Sequence, residues 1–484
     1  LHDALPIYDE RPRDSGRGGM RREYRARKSR GFVPPRPTRL GRWLLRTFGA
    51  LYLRIARGTT GVEILRPEIL HDAYRAFYDG SIRLLILFRH VEVADGPLLM
   101  HALSGVLDRY DRKNGGRSLP RRPHSHFLYG KDVLNWAGAG ARWVFPRLGG
   151  IPVANTRLER RAHEAIRDII LNGDYPLALA PEGQVTYQMF DVSELTAGAG
   201  TMAHWIERDL LSVARRGSEG SKKPGILLLP LAIGYHLSKD HRELAERTLE
   251  RLAASLQAPP PSGKTLVDRL LRATDLVLDT VEELYHSAYP VVFREAPRHR
   301  GEPRSVRIDF LCDRILRCAE LGAVRGTGDS ILKRLFAVRF RVHDILYPSG
   351  VDFEALSPPV RRWTDYRIHA ATTMDRHAQI VDILMYVRPE YITSGKSPHR
   401  AAEYALNLLD VIHRLSGGNI DSRHTPRHKR ARILVGDPID AAAVLRAPGQ
   451  TPKRAIEALN VRVSQSLDRV TARLEGRMVA EQPS

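Results

Sequence analysis

Three uninterrupted apolar runs limit what this chain can fold into: Leu84-Leu85-Ile86-Leu87-Phe88, Leu177-Ala178-Leu179-Ala180 and Ile226-Leu227-Leu228-Leu229-Pro230-Leu231-Ala232-Ile233. Each is short, does not alternate with polar residues, and therefore suits a strand covered on both faces. Between the first and second runs lies a helical pattern, Leu158 to Leu171. Ala162, Ile166, Ile169 and Ile170 fall on one face of it, and Asn172-Gly173 stops it. Strands alternating with amphipathic helices predict an α/β fold, a mostly parallel sheet flanked by helices. Sites in such sheets gather at the carboxyl ends of the strands.

Directly after the first run stands Arg89-His90-Val91-Glu92-Val93-Ala94-Asp95. On one continuous helix, residues five apart would point about 140° away from each other. Across a strand end and the start of the next helix they can meet. Asp95 reads as an N-cap, and Gly96-Pro97 opens a helix over Leu98 to Leu107. A carboxylate that accepts the proton of one imidazole nitrogen fixes the tautomer and leaves the other nitrogen to take a proton from a hydroxyl. The pair alone is a weak signal: with 19 histidines in the chain, one such spacing arises by chance about once. The alternative is a capped helix beside a half-buried histidine.

The order of the following segments adds specificity. Gly150-Ile151-Pro152-Val153-Ala154-Asn155-Thr156-Arg157 comes next, then Pro181-Glu182-Gly183-Gln184 after the second strand, and Leu229-Pro230-Leu231-Ala232-Ile233 in the third. In this order the blocks resemble the glycerolipid acyltransferase superfamily, the 1-acylglycerol-3-phosphate acyltransferase type. Its blocks read Asn-His-x4-Asp, Gly-x-hydrophobic-x-x-x-Arg, Pro-Glu-Gly-Thr-Arg and an apolar Val-Pro-Val-like strand. Leu195 to Ala203 also resembles the segment that follows the third block. The resemblance implies direct acyl transfer from acyl-CoA or acyl carrier protein to a hydroxyl of a glycerolipid or phospholipid precursor. His90 would be the general base and Asp95 its orienting carboxylate, with no covalent intermediate, no cofactor and no metal. It also implies that Arg157, Glu182, Gly183 and Gln184 bind the acceptor. The chain departs from the pattern at three places. Arg89 replaces the asparagine, which puts positive charge beside the base. Gln184-Val185 replaces Thr-Arg, and Thr196-Ala197 replaces Lys-Pro, so two expected cationic or phosphate-binding features are missing. Acceptor identity is therefore left open, with a lipid other than a glycerol phosphate as one alternative and a catalytically silent membrane-binding homologue as another.

A net charge of +21 and a pI near 10.2 suit an anionic membrane surface or an anionic acyl carrier. The basic residues are spread and no nucleic-acid-binding motif accompanies them, so no nucleic-acid partner is expected. Cys312 and Cys318 read as buried apolar fillers in a helix, which fits a reducing compartment. With no long apolar span and no signal peptide, the expected location is cytoplasmic, peripheral on the inner face of the cell membrane. Leu40 to Ile55 carries Trp43, Leu44, Phe48, Leu51, Tyr52 and Ile55 at helical spacing among Arg42, Arg46 and Arg54. It suits either a bilayer interface or docking on the core.

The chain divides into a disordered basic N-terminus over 1–36, with Met20 as a candidate start, and an acyltransferase core over 37–237. A helical insertion over 238–429 and a closing part over 430–484 follow. The closing strand is Ala431 to Ile439, where Val-Gly-Asp-Pro-Ile resembles the family's last strand. The insertion shows helical periodicity over Leu266 to Tyr289, Val306 to Leu321, Ile331 to Leu346 and His399 to Leu415, and no catalytic constellation. A final helix is expected over Thr451 to Val479, with Ile456, Leu459, Val463, Leu467, Val470 and Leu474 facing inward.

Overall fold

In a computed structural model, residues 32–113, 118–131, 133, 138–153, 159–196, 198–216, 224–237, 240–294, 301–320, 330–348, 350–353, 355–394 and 397–480 are described. The strands are β1 (Thr59–Leu65), β2 (Ile82–Phe88), β3 (His126–Gly130), β4 (Gly150–Val153), β5 (Leu177–Leu179), β6 (Gly225–Leu237), β7 (Lys429–Val435) and β8 (Ile439–Asp440). They form one sheet in the order β1-β7-β6-β2-β5-β3-β4, with β8 added to β6. β2 to β6 all run one way, whereas β7 is antiparallel to β6 and parallel to β1. The expected α/β architecture with a mostly parallel sheet is therefore present. The apolar runs occupy its centre: Leu85, Ile86 and Leu87 of β2 and Leu228, Leu229 and Leu231 of β6 are fully buried. Helices on both faces remove water from both sides, which is why these strands do not alternate.

Around the sheet lie α1 (Arg39–Ala56), α2 (Pro67–Tyr78), α3 (Asp95–His101), α4 (Asp108–Lys113), α5 (Gly138–Arg147), α6 (Arg160–Asn172) and α7 (Gly198–Arg216). A π-helical turn, Ala102–Leu107, joins α3 to α4. Between β6 and β7 the described residues are helical: α8 (His241–Ser255), α9 (Leu266–Ala288), α10 (Pro290–Phe293), α11 (Arg304–Ala319), α12 (Ile331–Leu346), α13 (Pro358–Leu384), α14 (Glu390–Thr393) and α15 (Pro398–Leu415). After β8 come α16 (Ala441–Leu445) and α17 (Pro452–Ala480). α13, the longest of the β6–β7 segment, packs on α11, α12 and α15; it buries every residue from His377 to Leu384, while its first half is largely exposed, with Trp363 and Tyr366 in solvent. α17 lies on β6 and buries Leu459, Val463, Leu467, Val470 and Leu474, while Ile456 is only half-buried. Cys312 and Cys318 are buried in α11 as free thiols.

α1 is docked by the buried Leu53 and by two glycines, Gly41 and Gly49. It packs on β1 and α3, and a Cβ on Gly49 would come within 2.9 Å of His101 Nδ1, so only glycine allows the approach. The apolar face of the helix points the other way. Leu40, Trp43, Phe48, Leu51, Tyr52 and Ile55 are all exposed, as are Trp143 and Val144 on the adjoining α5. No helix among the described residues is long and apolar enough to cross a membrane.

Candidate active site

β2 ends at Phe88, and the chain then crosses the carboxyl edge of the sheet as Arg89-His90 before α3 begins. The backbone of His90 is gripped on both sides. Its N–H donates to Glu182 Oε2 at 3.0 Å, and its carbonyl accepts from the Thr186 N–H at 2.8 Å. The ring then reaches Asp95, with Nδ1 3.1 Å from Oδ2. Because a carboxylate can only accept here, Nδ1 carries the proton and Nε2 keeps its lone pair.

Asp95 is fully buried and its charge is met by donors. Oδ2 also accepts from the backbone N–H of Val91 at 2.6 Å and of Glu92 at 2.7 Å. Oδ1 accepts from the hydroxyl of Tyr235, on β6. Burial, reinforced by the adjacent Asp95 and Glu92 carboxylates, pushes the Tyr235 hydroxyl well above its ordinary range, so it stays a donor. The expected N-cap at Asp95 is corrected. Ala94 is the N-cap and Asp95 is the first helical residue, and its carboxylate turns back onto the preceding loop instead of capping forward. That turn folds the Val91–Ala94 loop tightly enough to bring His90 and Asp95 together.

Exposure separates this pair from another. His71 and Asp111 also meet, at 2.9 Å, but both are 7 % exposed and packed between α2 and α4. The His90 side chain is 24 % exposed, while Asp95 behind it is 0 %. An accessible imidazole backed by an inaccessible carboxylate can exchange a proton with a bound molecule. A cavity of about 230 Å³ lies beside the same loop, bordered by Val91 to Ala94 and Tyr235 but not by the His90 ring.

The remaining expected residues are placed differently from one another. Arg157 lies outside the described residues. Glu182 follows β5, the neighbour of β2, and is 1 % exposed. Its Oε1 takes the Arg89 Nε at 2.8 Å and its Oε2 the His90 N–H, so both oxygens are engaged inside the protein rather than turned to an acceptor. Gly183 has φ of +75°, and a Cβ there would press on Thr196 at 3.0 Å and Phe336 at 3.2 Å. Gln184 is buried too: its Nε2 donates to the Tyr386 hydroxyl at 2.6 Å and its Oε1 accepts from Arg339 at 3.2 Å. The third block is thus tied into the helices between β6 and β7.

Arg89 does not add charge beside the base. Its guanidinium is fully buried and directed to Glu182, to the carbonyls of Gln188 at 3.0 Å and Asp191 at 2.7 Å, and to Thr471 of α17 at 3.2 Å. Two supporting residues escape a reading of local spacing, Arg89 as a structural cation and Tyr235. The usable signal for the first is a pair of opposite charges, each just past an apolar run, on strands that become neighbours. For Tyr235 it is a hydroxyl late in an otherwise apolar strand. No protein-family model and no curated protein matches this chain.

Proposed function

We propose that the chain is an acyltransferase of the glycerolipid type, moving a fatty acyl group from acyl-CoA or acyl carrier protein to a lipid hydroxyl. The observation that carries this reading is the 3.1 Å contact between His90 Nδ1 and the buried Asp95, with the imidazole itself open at the sheet's carboxyl edge. His90 Nε2 would take the proton of the acceptor hydroxyl as its oxygen attacks the thioester carbonyl. The tetrahedral intermediate then collapses, the C–S bond breaks, and the imidazolium returns its proton to the leaving thiolate. Asp95 stabilises the imidazolium and holds the ring. The topology supports the family resemblance: β7 returns to the sheet between β1 and β6 after the long helical segment, as an insertion before a closing strand would require.

Within that chemistry, an acceptor other than a simple glycerol phosphate is favoured. Glu182 and Gln184 are buried and committed to Arg89, Tyr386 and Arg339, so they leave less for an acceptor phosphate than the family pattern implies. The outward apolar face of α1, with Arg39, Arg46 and Arg54 on the same helix, supports docking on the anionic inner face of the cell membrane. The test is acyl transfer from labelled acyl-CoA and from acyl carrier protein to a panel of lipid acceptors in anionic vesicles, wild type against His90→Ala. Loss of transfer with retained folding is expected. Transfer by His90→Ala at the wild-type rate, or transfer to no acceptor by the wild type, overturns the reading.

A further inference from the structure

Away from His90, three histidines from three elements converge. His236 is near the end of β6, His241 opens α8, and His399 opens α15. One ring nitrogen from each lies within 4.8 Å of the others. The ring centroids of His241 and His399 are 3.6 Å apart, and His236 sits 5.9 Å and 5.7 Å from them. Both ring nitrogens of His241 are buried without a hydrogen-bond partner. An imidazole N–H in the protein interior nearly always has an acceptor, so this ring lacks something that would complete it. Ser397 Oγ is 3.0 Å from His399 Nδ1 and holds that ring from behind, as a supporting hydroxyl does for a metal-binding histidine.

We infer that His236, His241 and His399 form a three-imidazole site for a zinc-class divalent ion. The ion pins the long helical segment to the central sheet, because its ligands come from β6, from the start of α8 and from α15. Three neutral imidazoles without a thiolate suit zinc, cobalt(II), nickel(II) or copper(II) and do not suit calcium or magnesium. Of the nearby cations, Arg432 is 3.3 Å from the Glu63 carboxylate, which offsets its charge. The cavity beside the His90 loop also touches His241 and His399, with Glu403 on its wall, which leaves room for a fourth ligand. In a tetrahedral site the nitrogens stand about 3.3 Å apart, so on loading the stacked His241 and His399 rings splay apart to aim their nitrogens at one point while His236 moves in. This ion has no part in acyl transfer, and the inference does not depend on that reading.

The experiment uses the full-length chain with any histidine tag removed, stripped by chelator and then given zinc chloride. Expected are one zinc per chain by elemental analysis and a melting temperature that rises with zinc. His241→Asn and His399→Asn should each weaken binding by tenfold or more, the scale on which ligand shells act. Should those variants misfold, cobalt(II) added to the wild type decides: intense tetrahedral visible bands support the site. A wild type that takes up less than one zinc per chain and shows only the weak octahedral cobalt spectrum overturns the proposal. So does equal affinity in the folded asparagine variants, which would leave a histidine stack with no ion.

Discussion

Glu182→Gln tests how His90 is held. The substitution keeps size and one carbonyl oxygen but removes the only carboxylate that meets the Arg89 guanidinium among the described contacts. Both side chains are fully buried, so solvent does not screen the loss. Removing one partner of such a pair costs about 3–5 kcal/mol, because an uncompensated charge stays behind. The carbonyls of Gln188 and Asp191 remain on the guanidinium, which places the expected value at the lower end, about 3 kcal/mol. Unfolding entropy of about 2.1 cal/mol/K per residue amounts to about 1 kcal/mol/K over 484 residues. The melting temperature should therefore fall by about 3 °C in scanning fluorimetry. Arg89→Met in the same background removes the stranded charge, so the double variant should melt above the sum of the two single shifts, with a coupling of at least about 1 kcal/mol. Additive shifts, or a Glu182→Gln protein within about 1 °C of wild type, would refute the claim that this ion pair braces the His90 backbone.

Asp95→Asn should leave the melting temperature near that of wild type yet lower acyl transfer by roughly three to four orders of magnitude, since the imidazolium loses its carboxylate; an unchanged turnover would remove Asp95 from the reaction. Tyr235→Phe takes one donor from a buried carboxylate oxygen and should cost about 1–3 kcal/mol, read as a fall in melting temperature without loss of the helical circular dichroism signal. Burial holds the Glu403 carboxyl up to about 8, above its value in the unfolded chain, so its contribution to stability is full at low pH and is lost as pH rises through about 8. Glu403→Gln should accordingly melt higher than wild type near pH 9 and no higher near pH 5, and a pH-independent difference would contradict the assignment. Leu51→Glu with Ile55→Glu places charge on the outward face of α1 and should abolish sedimentation with anionic vesicles while sparing the melting temperature; unaltered sedimentation would rule out α1 as the docking face.

Much of the sheet could be read directly because its central strands are buried on both faces. A run such as Leu84 to Phe88 has no other stable use, and the helices beside it carry their periodicity in plain view. β1, Thr59–Leu65, was not legible, because it is a mixed, half-buried edge strand whose place depends on pairing with β7 more than three hundred residues away. α13 was hidden for another reason: exposed apolar residues such as Trp363 and Tyr366 in its first half and an all-round buried stretch, His377 to Leu384, at its end leave no single stripe.

The site divides in the same way. The spacing of His90 and Asp95 after a buried strand determined that the two could meet, since a strand end, a short loop and a helix start leave few other geometries. Local pattern carried no information about which charges would be spent inside. Arg89, Glu182 and Gln184 have the composition of ligand-binding residues, and only the adjacency of β2 and β5 and the packing of the helices between β6 and β7 commit them to internal partners. Likewise His236, His241 and His399 are far apart or unremarkable in the sequence. They become a cluster only because α15 packs along α8, which brings His399 beside His236 at the end of β6 from most of the helical segment away. Short-range spacing can specify a local turn and the pair it closes. The pairing of distant buried charges depends on the free energy of the whole packed arrangement, and that exists only in three dimensions.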